Sequence, residues 1–340
     1  MLHRPPKQIF RIGSFNLLNL VLPEHTYYGK KSYSQADYDL KKVWINNQLN
    51  NMQADIVGFQ EVFHQEALVD VLRANPAYKG KTQLIVADPD GQRPSVGLLS
   101  KFPITDYSVI STFPSQLVVD GLTIPFEKFS RPVLKVRLKL NDDQHLIVVV
   151  AHLKSKRPMF GEGSDANDPI ELARAQACSL MVRTAEAYAL RQVLMTELQG
   201  RDSPVVVMGD FNDTHTSVTT QLVSGEPPFR FLSMEQKQRQ WDVLLYHVKD
   251  IQSRLSFTDT YYTHIHNGHY ESLDHIMVSQ ELVQENPEHI GKVASVKVFT
   301  DHLIDETLSE DRIPCWKSDH AQVATTIEFT KGRLKLIGQD

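Results

Sequence analysis

Cysteine is almost missing from this chain: 340 residues contain two, Cys178 and Cys315, and neither belongs to a CxxC pair. Two isolated thiols exclude a disulfide-stapled scaffold and point to a reducing compartment. Long apolar runs are missing too. No stretch reaches the length of about 18 residues that a membrane-spanning helix needs, and the opening MLHRPPKQIF has no apolar signal-peptide core. The chain as it stands is therefore expected in the cytoplasm, or in a secreted or periplasmic location if a leader has been removed. A basic excess is also lacking. The net charge of −5 excludes a protein that holds nucleic acid by charge alone. It does not exclude a nuclease whose bound divalent cation supplies positive charge locally. There is no Pro-, Gly- or Ser-rich linker, no repeat and no low-complexity run. Residues 1–340 are accordingly expected to form one domain, and nothing in them points to a protein partner.

What the chain does have is ordinary globular material, 41% hydrophobic and 23% charged, organised as apolar strands that end in polar groups. Ile9 to Phe15 reads as a strand that delivers Asn16. A helical pattern over Ala36–Met52 leads to a short apolar strand that delivers Gln60 and Glu61, and a second helix is expected over Gln65–Arg73. Leu134, Val136, Leu138 and Leu140 alternate with Lys135, Arg137 and Lys139, the period of two of a strand with one buried and one wet face. Its return strand, Leu146–Ala151, is apolar throughout and ends in His152, as expected of a strand covered on both faces. Asp168-Pro169-Ile170-Glu171 carries an N-cap, a first-turn proline and an acidic third position, which start a helix running to about Leu198. Pro204–Met208 then leads to Gly209-Asp210-Phe211-Asn212, and later strands are expected at Leu273–Val278 and Gln322–Phe329. Hairpins mixed with helical crossovers predict an α/β sandwich, two packed sheets with helices outside. Polar groups at so many strand ends predict a cleft at one edge of it.

Taken singly, each polar segment has a structural explanation. Asn16 fits a turn, Glu61 the first wet residue after a strand, and Gly-Asp-Phe-Asn-Asp an Asx turn. Ser318-Asp319-His320 fits a cap, and His152 a satisfied histidine at a sheet edge. Their joint order does not reduce to those roles. Asn16, Gln60-Glu61, His152, Gly209-Asp210-Phe211-Asn212, Asp274 and Ser318-Asp319-His320 together resemble the endonuclease/exonuclease/phosphatase superfamily, across nearly the whole chain. That superfamily includes pancreatic-type deoxyribonucleases, apurinic-site endonucleases, neutral sphingomyelinases, inositol-polyphosphate 5-phosphatases and deadenylases.

The resemblance implies the deoxyribonuclease I-like fold, a four-layer sandwich of two mixed sheets flanked by helices. It also implies phosphoester hydrolysis at one Mg²⁺ ion, with Mn²⁺ or Ca²⁺ as alternatives. A hard cation takes oxygen ligands and keeps several waters, so Glu61 and Asn16 suffice as anchors, with Asp319 as a third or water-mediated ligand. Asp210 orients and deprotonates the attacking water, and Asn212 positions water and phosphate. His320 hydrogen-bonds the phosphate, Asp274 fixes its other nitrogen, and His152 resembles the second histidine facing phosphate or leaving group. Arg131 resembles a phosphate-contacting arginine, and Lys154, Lys156 and Arg157 are candidates to line a substrate channel or to form a solvated basic loop. His264, His266 and His269 match no standard zinc spacing and are expected in an exposed loop. The run from His152 to Lys156, His-Leu-Lys-Ser-Lys, and the opening Ser-Phe-Asn-Leu-Leu-Asn-Leu at 14–20 resemble bacterial nuclease-like members, whereas the first motif lacks Trp-Asn-x-x-Gly and the Asp274 segment lacks Trp-Cys-Asp-Arg, so the expectation is a nuclease of low sequence specificity. A phospholipid or small-molecule phosphodiesterase or phosphatase remains the alternative, and a non-catalytic binding protein on this fold a remote one.

Overall fold

The computed structural model describes residues 8–29, 31–115, 125–226, 231–256 and 261–338, together with the backbone of 118–119 and 122–123. The opening residues 1–7, read above for a signal-peptide core, lie outside the described residues. Numbered in chain order, one six-stranded sheet runs β15 (Gly291–Phe299), β16 (Gln322–Phe329), β1 (Gln8–Leu20), β2 (Ile56–Val62), β4 (Ser95–Ser100), β3 (Gln83–Val86). The other runs β11 (Leu245–His247), β14 (Asp274–Ser279), β10 (Val205–Asp210), β9 (His145–His152), β8 (Lys128–Lys139), β5 (Ile104–Thr112). Two small hairpins add β6 (Val118–Val119) with β7 (Leu122–Thr123), and β12 (His264–His266) with β13 (His269–Glu271). The helices are α1 (Gln35–Met52), α2 (Gln65–Arg73), α3 (Pro169–Leu198), α4 (Val218–Ser224), α5 (Met234–Trp241) and α6 (Val248–Leu255). Among the described residues no helix is long and apolar enough to cross a membrane.

Side-chain parity explains the layers. Successive strand residues point to opposite faces. In β10, Val206 and Met208 meet Val148 and Val150 of β9, Ile276 and Val278 of β14, and Ile12, Ile56 and Val323 of the opposite sheet, all in one buried cluster between the sheets. The alternate residues, Ile147, Val149, Val205, Val207 and Met277, pack outward on Ala187, Leu190 and Leu194 of α3. On the other flank, Phe15, Val57 and Phe59 pack on Trp44, Ile45 and Leu49 of α1 and Leu68 of α2. This is the expected four-layer sandwich, two mixed six-stranded sheets flanked by helices.

The same parity carries past the core. Extended by two residues along each strand, the inward row Val150, Met208, Ile276 becomes His152, Asp210, Asp274. Those three are neighbours in register: Asp210 lies opposite His152 in the parallel β9/β10 pair and opposite Asp274 in the antiparallel β10/β14 pair. In the other sheet Asn16 of β1 lies opposite Gln60 of β2.

Two details differ from the sequence reading. The face of β8 read as wet is only partly so: α3 reaches its Lys135, which pairs with Glu197 at 2.6 Å, while Arg137 and Lys139 stay more exposed. The segment containing His264, His266 and His269 is a β-hairpin, β12/β13, rather than a loop; His266 and His269 are exposed as expected, and His264 is not. Its first residue, His264, bridges to His320 through the backbone and is mostly shielded from solvent, because Thr263 Oγ1 accepts from the Leu273 and Asp274 amides and ties the hairpin to the head of β14.

Gly209 permits the close approach of β9 and β10. It sits at φ +141°, and a Cβ there would lie 1.8 Å from the Ala151 carbonyl oxygen. Gly209→Ala is expected to destabilise the protein by about 2–4 kcal/mol, through backbone strain plus overpacking. Chemical denaturation would measure this, and a stability within about 0.5 kcal/mol of the parent would refute the role.

Candidate active site

The first cluster forms on β1 and β2, where the ladder breaks. Against β1 the pairing jumps from Asn16/Gln60 to Leu20/Val62, so Leu17, Leu18 and Asn19 bulge out opposite Glu61; against β4 it jumps from Gln60/Val96 to Val62/Ser95, which makes Glu61 the extra residue of a bulge there, a device that re-aims a side chain. Glu61 takes φ +62°, and Leu18 and Asn19 on the facing strand take +46° and +59°. Left-handed backbone at three non-glycine residues is costly and concentrates at functional sites. The Asn19 amide donates to Glu61 Oε2 at 3.0 Å. The Leu18 carbonyl is held by two donors, Lys41 Nζ at 2.9 Å and the Tyr33 hydroxyl at 3.2 Å. Lys41 is completely buried in α1. Burial depresses its pKa to about 8, while Glu61 and Asp319 favour its charge. Burial also raises the Glu61 carboxyl, against the Arg131 guanidinium, with neighbouring Asp319 raising it further.

The second cluster joins the sheets. Asp210 is buried, and its Oδ2 accepts from Asn16 Nδ2 at 3.1 Å, across the sandwich. The same oxygen lies 3.4 Å from His152 Nε2 and 3.8 Å from His320 Nε2, while Oδ1 accepts from the Asn212 amide at 2.8 Å. Asn212 adopts φ +55° and donates its side-chain amide to the Leu153 carbonyl at 3.0 Å. Burial lifts the Asp210 carboxyl above the ordinary carboxylate range, opposed by the His320 charge. His320 Nδ1 donates to Asp274 Oδ2 at 2.8 Å, a second link between the sheets. Burial works against the His320 charge, but Asp274 and Asp210 outweigh it and raise the imidazole well above its usual value. His152 moves the other way: burial, then Arg131 and His320, holds it neutral. The two histidines are thereby distinguished, with His320 favoured in its protonated form and His152 in its neutral form.

The basic residues separate. Arg131 points inward, its Nη1 donating to the Leu153 carbonyl at 3.3 Å, and its charge acts on Glu61, His152 and Tyr28. Lys154 folds its ammonium onto the Ser155 and Arg157 carbonyls at 3.1 and 3.2 Å. Lys156 pairs with Glu271 of β13 at 3.0 Å, and Arg157 is exposed.

Sequence reading missed the supports behind these groups. Glu186 of α3 is buried and accepts from the Ser130 and Lys154 amides at 2.6 Å each, fixing the chain beside Arg131 and after His152. Arg183, one turn earlier, bonds the Lys154 carbonyl at 3.2 Å and pairs with Asp213 at 3.2 Å. Both lie on the stripe Ser179, Arg183, Glu186, Leu190, Leu194, and Lys41 on the stripe Tyr38, Lys41, Ile45, Leu49. A charged residue on an otherwise buried helical stripe was the available signal.

The donor set fits a hard cation. Asp319 Oδ1 is buried without a hydrogen-bond partner. Asn16 Oδ1 accepts a single bond, from the Leu18 amide at 3.0 Å, leaving a lone pair. Glu61 and Asp319 are mutually repelling carboxylates that a cation would reconcile.

A two-sheet sandwich with a buried carboxylate, two histidines of opposite charge preference and an oxygen-ligand cradle at one edge is the architecture of the phosphoester hydrolases that depend on divalent metals. The chain belongs to the endonuclease/exonuclease/phosphatase family, whose profile matches residues 13–320. No curated protein matches it by sequence. Among solved structures, it is similar to an endonuclease/exonuclease/phosphatase family protein from Bacteroides thetaiotaomicron, at 15% identity and TM-score 0.56, covering 95% of this chain and 96% of that one. It is also similar to the human Nocturnin catalytic domain with a bound sulfate anion, at 18% identity and TM-score 0.53, covering 96% and 100%. A third is the mannosyl-6-phosphatase of B. thetaiotaomicron, at 17% identity and TM-score 0.53, covering 94% and 100%. At these identities the likeness is one of fold.

Asp274→Asn removes the charge that holds the His320 proton. The His320 pKa should fall by about 1 unit or more. An imidazolium persists only below its pKa, so any function needing it should be lost at lower pH than in the parent. Histidine NMR titration reads this directly, and an unmoved His320 resonance would remove Asp274 from that role.

Proposed function

We propose that this chain, as one domain, hydrolyses phosphodiesters with a divalent cation of the Mg²⁺ class, and that its substrates are nucleic acid strands cut with little sequence preference. The observation that carries the reading is the environment of Asp210: one buried carboxylate shared by Asn16, Asn212, His152 and His320.

Glu61, Asn16 and Asp319 would hold the cation, which when bound supplies charge neutralisation at the phosphate. Asp210 takes a proton from the attacking water as the new O–P bond forms. Its burial-raised pKa brings it nearer the working pH, where a general base is most effective. The backbone amide of Asn212 fixes that carboxylate, and Asn16 holds it from the opposite sheet. His320, kept protonated by Asp274, donates from Nε2 to a phosphate oxygen or passes its proton to the departing oxygen as the P–O bond breaks. His152, held neutral, orients Asp210 and the phosphate. Arg131 presents a fixed positive charge on the same side.

Two observations bear on the substrate. Arg131 and the exposed Arg157 offer contacts to a phosphate backbone, which position a strand without reading bases. Lys154 and Lys156 are engaged locally, which favours a second reading: a compact phosphate ester, such as a sugar phosphate or phospholipid headgroup, that needs fewer basic contacts.

Asp210→Asn should lower turnover by about 10²-fold or more while leaving calorimetric metal affinity intact, and Glu61→Ala should weaken that affinity and suppress turnover. A near-parental rate for Asp210→Asn would place the base elsewhere. The substrate is decided by a panel of supercoiled DNA, single-stranded DNA, RNA, bis-p-nitrophenyl phosphate, sphingomyelin and sugar phosphates with Mg²⁺. On DNA, Arg157→Ser should raise KM and flatten its salt dependence, with bis-p-nitrophenyl phosphate unaffected. Cleavage of small or lipid esters with every nucleic acid left intact would replace the first reading by the second.

A further inference from the structure

His264 has no part in that chemistry, yet it stands against it. The β12/β13 hairpin places its imidazole ring 4.8 Å from the His320 ring, centre to centre, at an interplanar angle of 43°. Its Nε2 lies 3.9 Å from Asp319 Oδ2. One ligand atom each of His264, Asp319 and His320 lie within 4.8 Å of one another. Two buried atoms of this group, His264 Nδ1 and Asp319 Oδ1, have no hydrogen-bond partner. We propose that His264, Asp319 and His320 form a second metal site, selective for a borderline dication such as Zn²⁺, whose occupation inhibits the enzyme.

The chemistry separates this trio from the oxygen set of Asn16, Glu61 and Asp319. Mg²⁺ prefers oxygen and near-octahedral geometry, whereas two imidazoles and a carboxylate suit Zn²⁺ and its neighbours late in the first row. With metal–nitrogen bonds of about 2.0–2.1 Å, tetrahedral ligand atoms stand roughly 3.4 Å apart, so the His264 side chain needs to close by about an ångström. An independent feature prepares His320 as a ligand. Its Nδ1 is already bonded to Asp274 Oδ2 at 2.8 Å, the carboxylate–histidine pairing that orients metal-bound imidazoles and leaves Nε2 to the ion.

The inhibitory consequence rests on the role proposed above for His320. An ion on Nε2 replaces the proton that would face the phosphate. Because Asp319 serves both sites, Zn²⁺ and the catalytic cation compete for it.

The test measures Zn²⁺ affinity by competition with a chromophoric chelator on the parent, His264→Gln and Glu61→Gln proteins, each checked for folding by circular dichroism. The parent should bind one Zn²⁺, His264→Gln should weaken binding at least about tenfold, and Glu61→Gln should leave it within about threefold, since one ligand of the trio carries order 10-fold or more. X-ray absorption of the Zn²⁺-loaded parent should show two imidazoles. In Mg²⁺ assays, His264→Gln should keep the basal rate while raising the half-inhibitory Zn²⁺ concentration at least about tenfold. Zn²⁺ affinity unchanged in His264→Gln, lost in Glu61→Gln, or an absorption spectrum without two imidazoles would overturn the proposal. If no phosphoester is turned over, the proposed function fails and the binding and absorption measurements still decide the site.

Discussion

The hydrogen bond from Asn16 to Asp210 spans the space between the two sheets, and the rest of the site is arranged around it. A carboxylate with its side chain 2% exposed is tolerated only if its lone pairs are met. Here they are met from both halves of the sandwich, by Asn16 from one sheet and by the backbone of Asn212 from the other. The His320–Asp274 bond repeats the crossing a few ångströms away. The polar contacts that make the site chemically able therefore also close the open end of an otherwise apolar interface. Breaking one partner would leave an uncompensated buried charge, the costly outcome for such networks.

Around that link, the electrostatics divide the labour. His152 and His320 are both buried and both approach the same Asp210 oxygen, but only His320 has a second carboxylate. That asymmetry makes one imidazole a cation and leaves the other neutral. The distinction comes from β14 supplying an aspartate opposite Asp210 in register, rather than from the histidines themselves. The oxygen groups proposed to hold the cation depend on a different device, the bulge that turns Glu61 out of the ladder. Its geometry is underwritten by a buried lysine and a tyrosine gripping one strained carbonyl.

Much of this was legible in the sequence because strands have a period of two. Once Val150, Met208 and Ile276 face inward, His152, Asp210 and Asp274 must follow them, and the polar ends of apolar strands are visible as sequence. The order of the motifs then identified the family. The supports were less legible. Glu186 and Lys41 sit on helix stripes where a charge reads as an irregularity until its partners are known, and those partners are backbone amides and carbonyls that no sequence pattern names. The hairpin around His264 was read as a loop because its strands are three residues each and are held by Thr263, a contact made through tertiary structure. Lys156 looked free for the same reason: Glu271, which takes it, lies 115 positions away, whereas Lys154 is taken by carbonyls of its own loop, which no side-chain pattern names.

That separation along the chain has a further meaning for when the protein becomes active. Asn16 and Asp210 are 194 positions apart, and the Ser318 hydroxyl that grips the Asn16 carbonyl is 302 positions from it. β1 lies between β2 and β16, so one edge of the first strand waits for the last one made. At translation rates of about 5–20 residues per second, a nascent chain would spend on the order of tens of seconds holding Asn16 and Glu61 with no His320 to complete them. The cluster around Asp210 is in effect time-locked: its two halves cannot meet until the late strand has docked beside the early one.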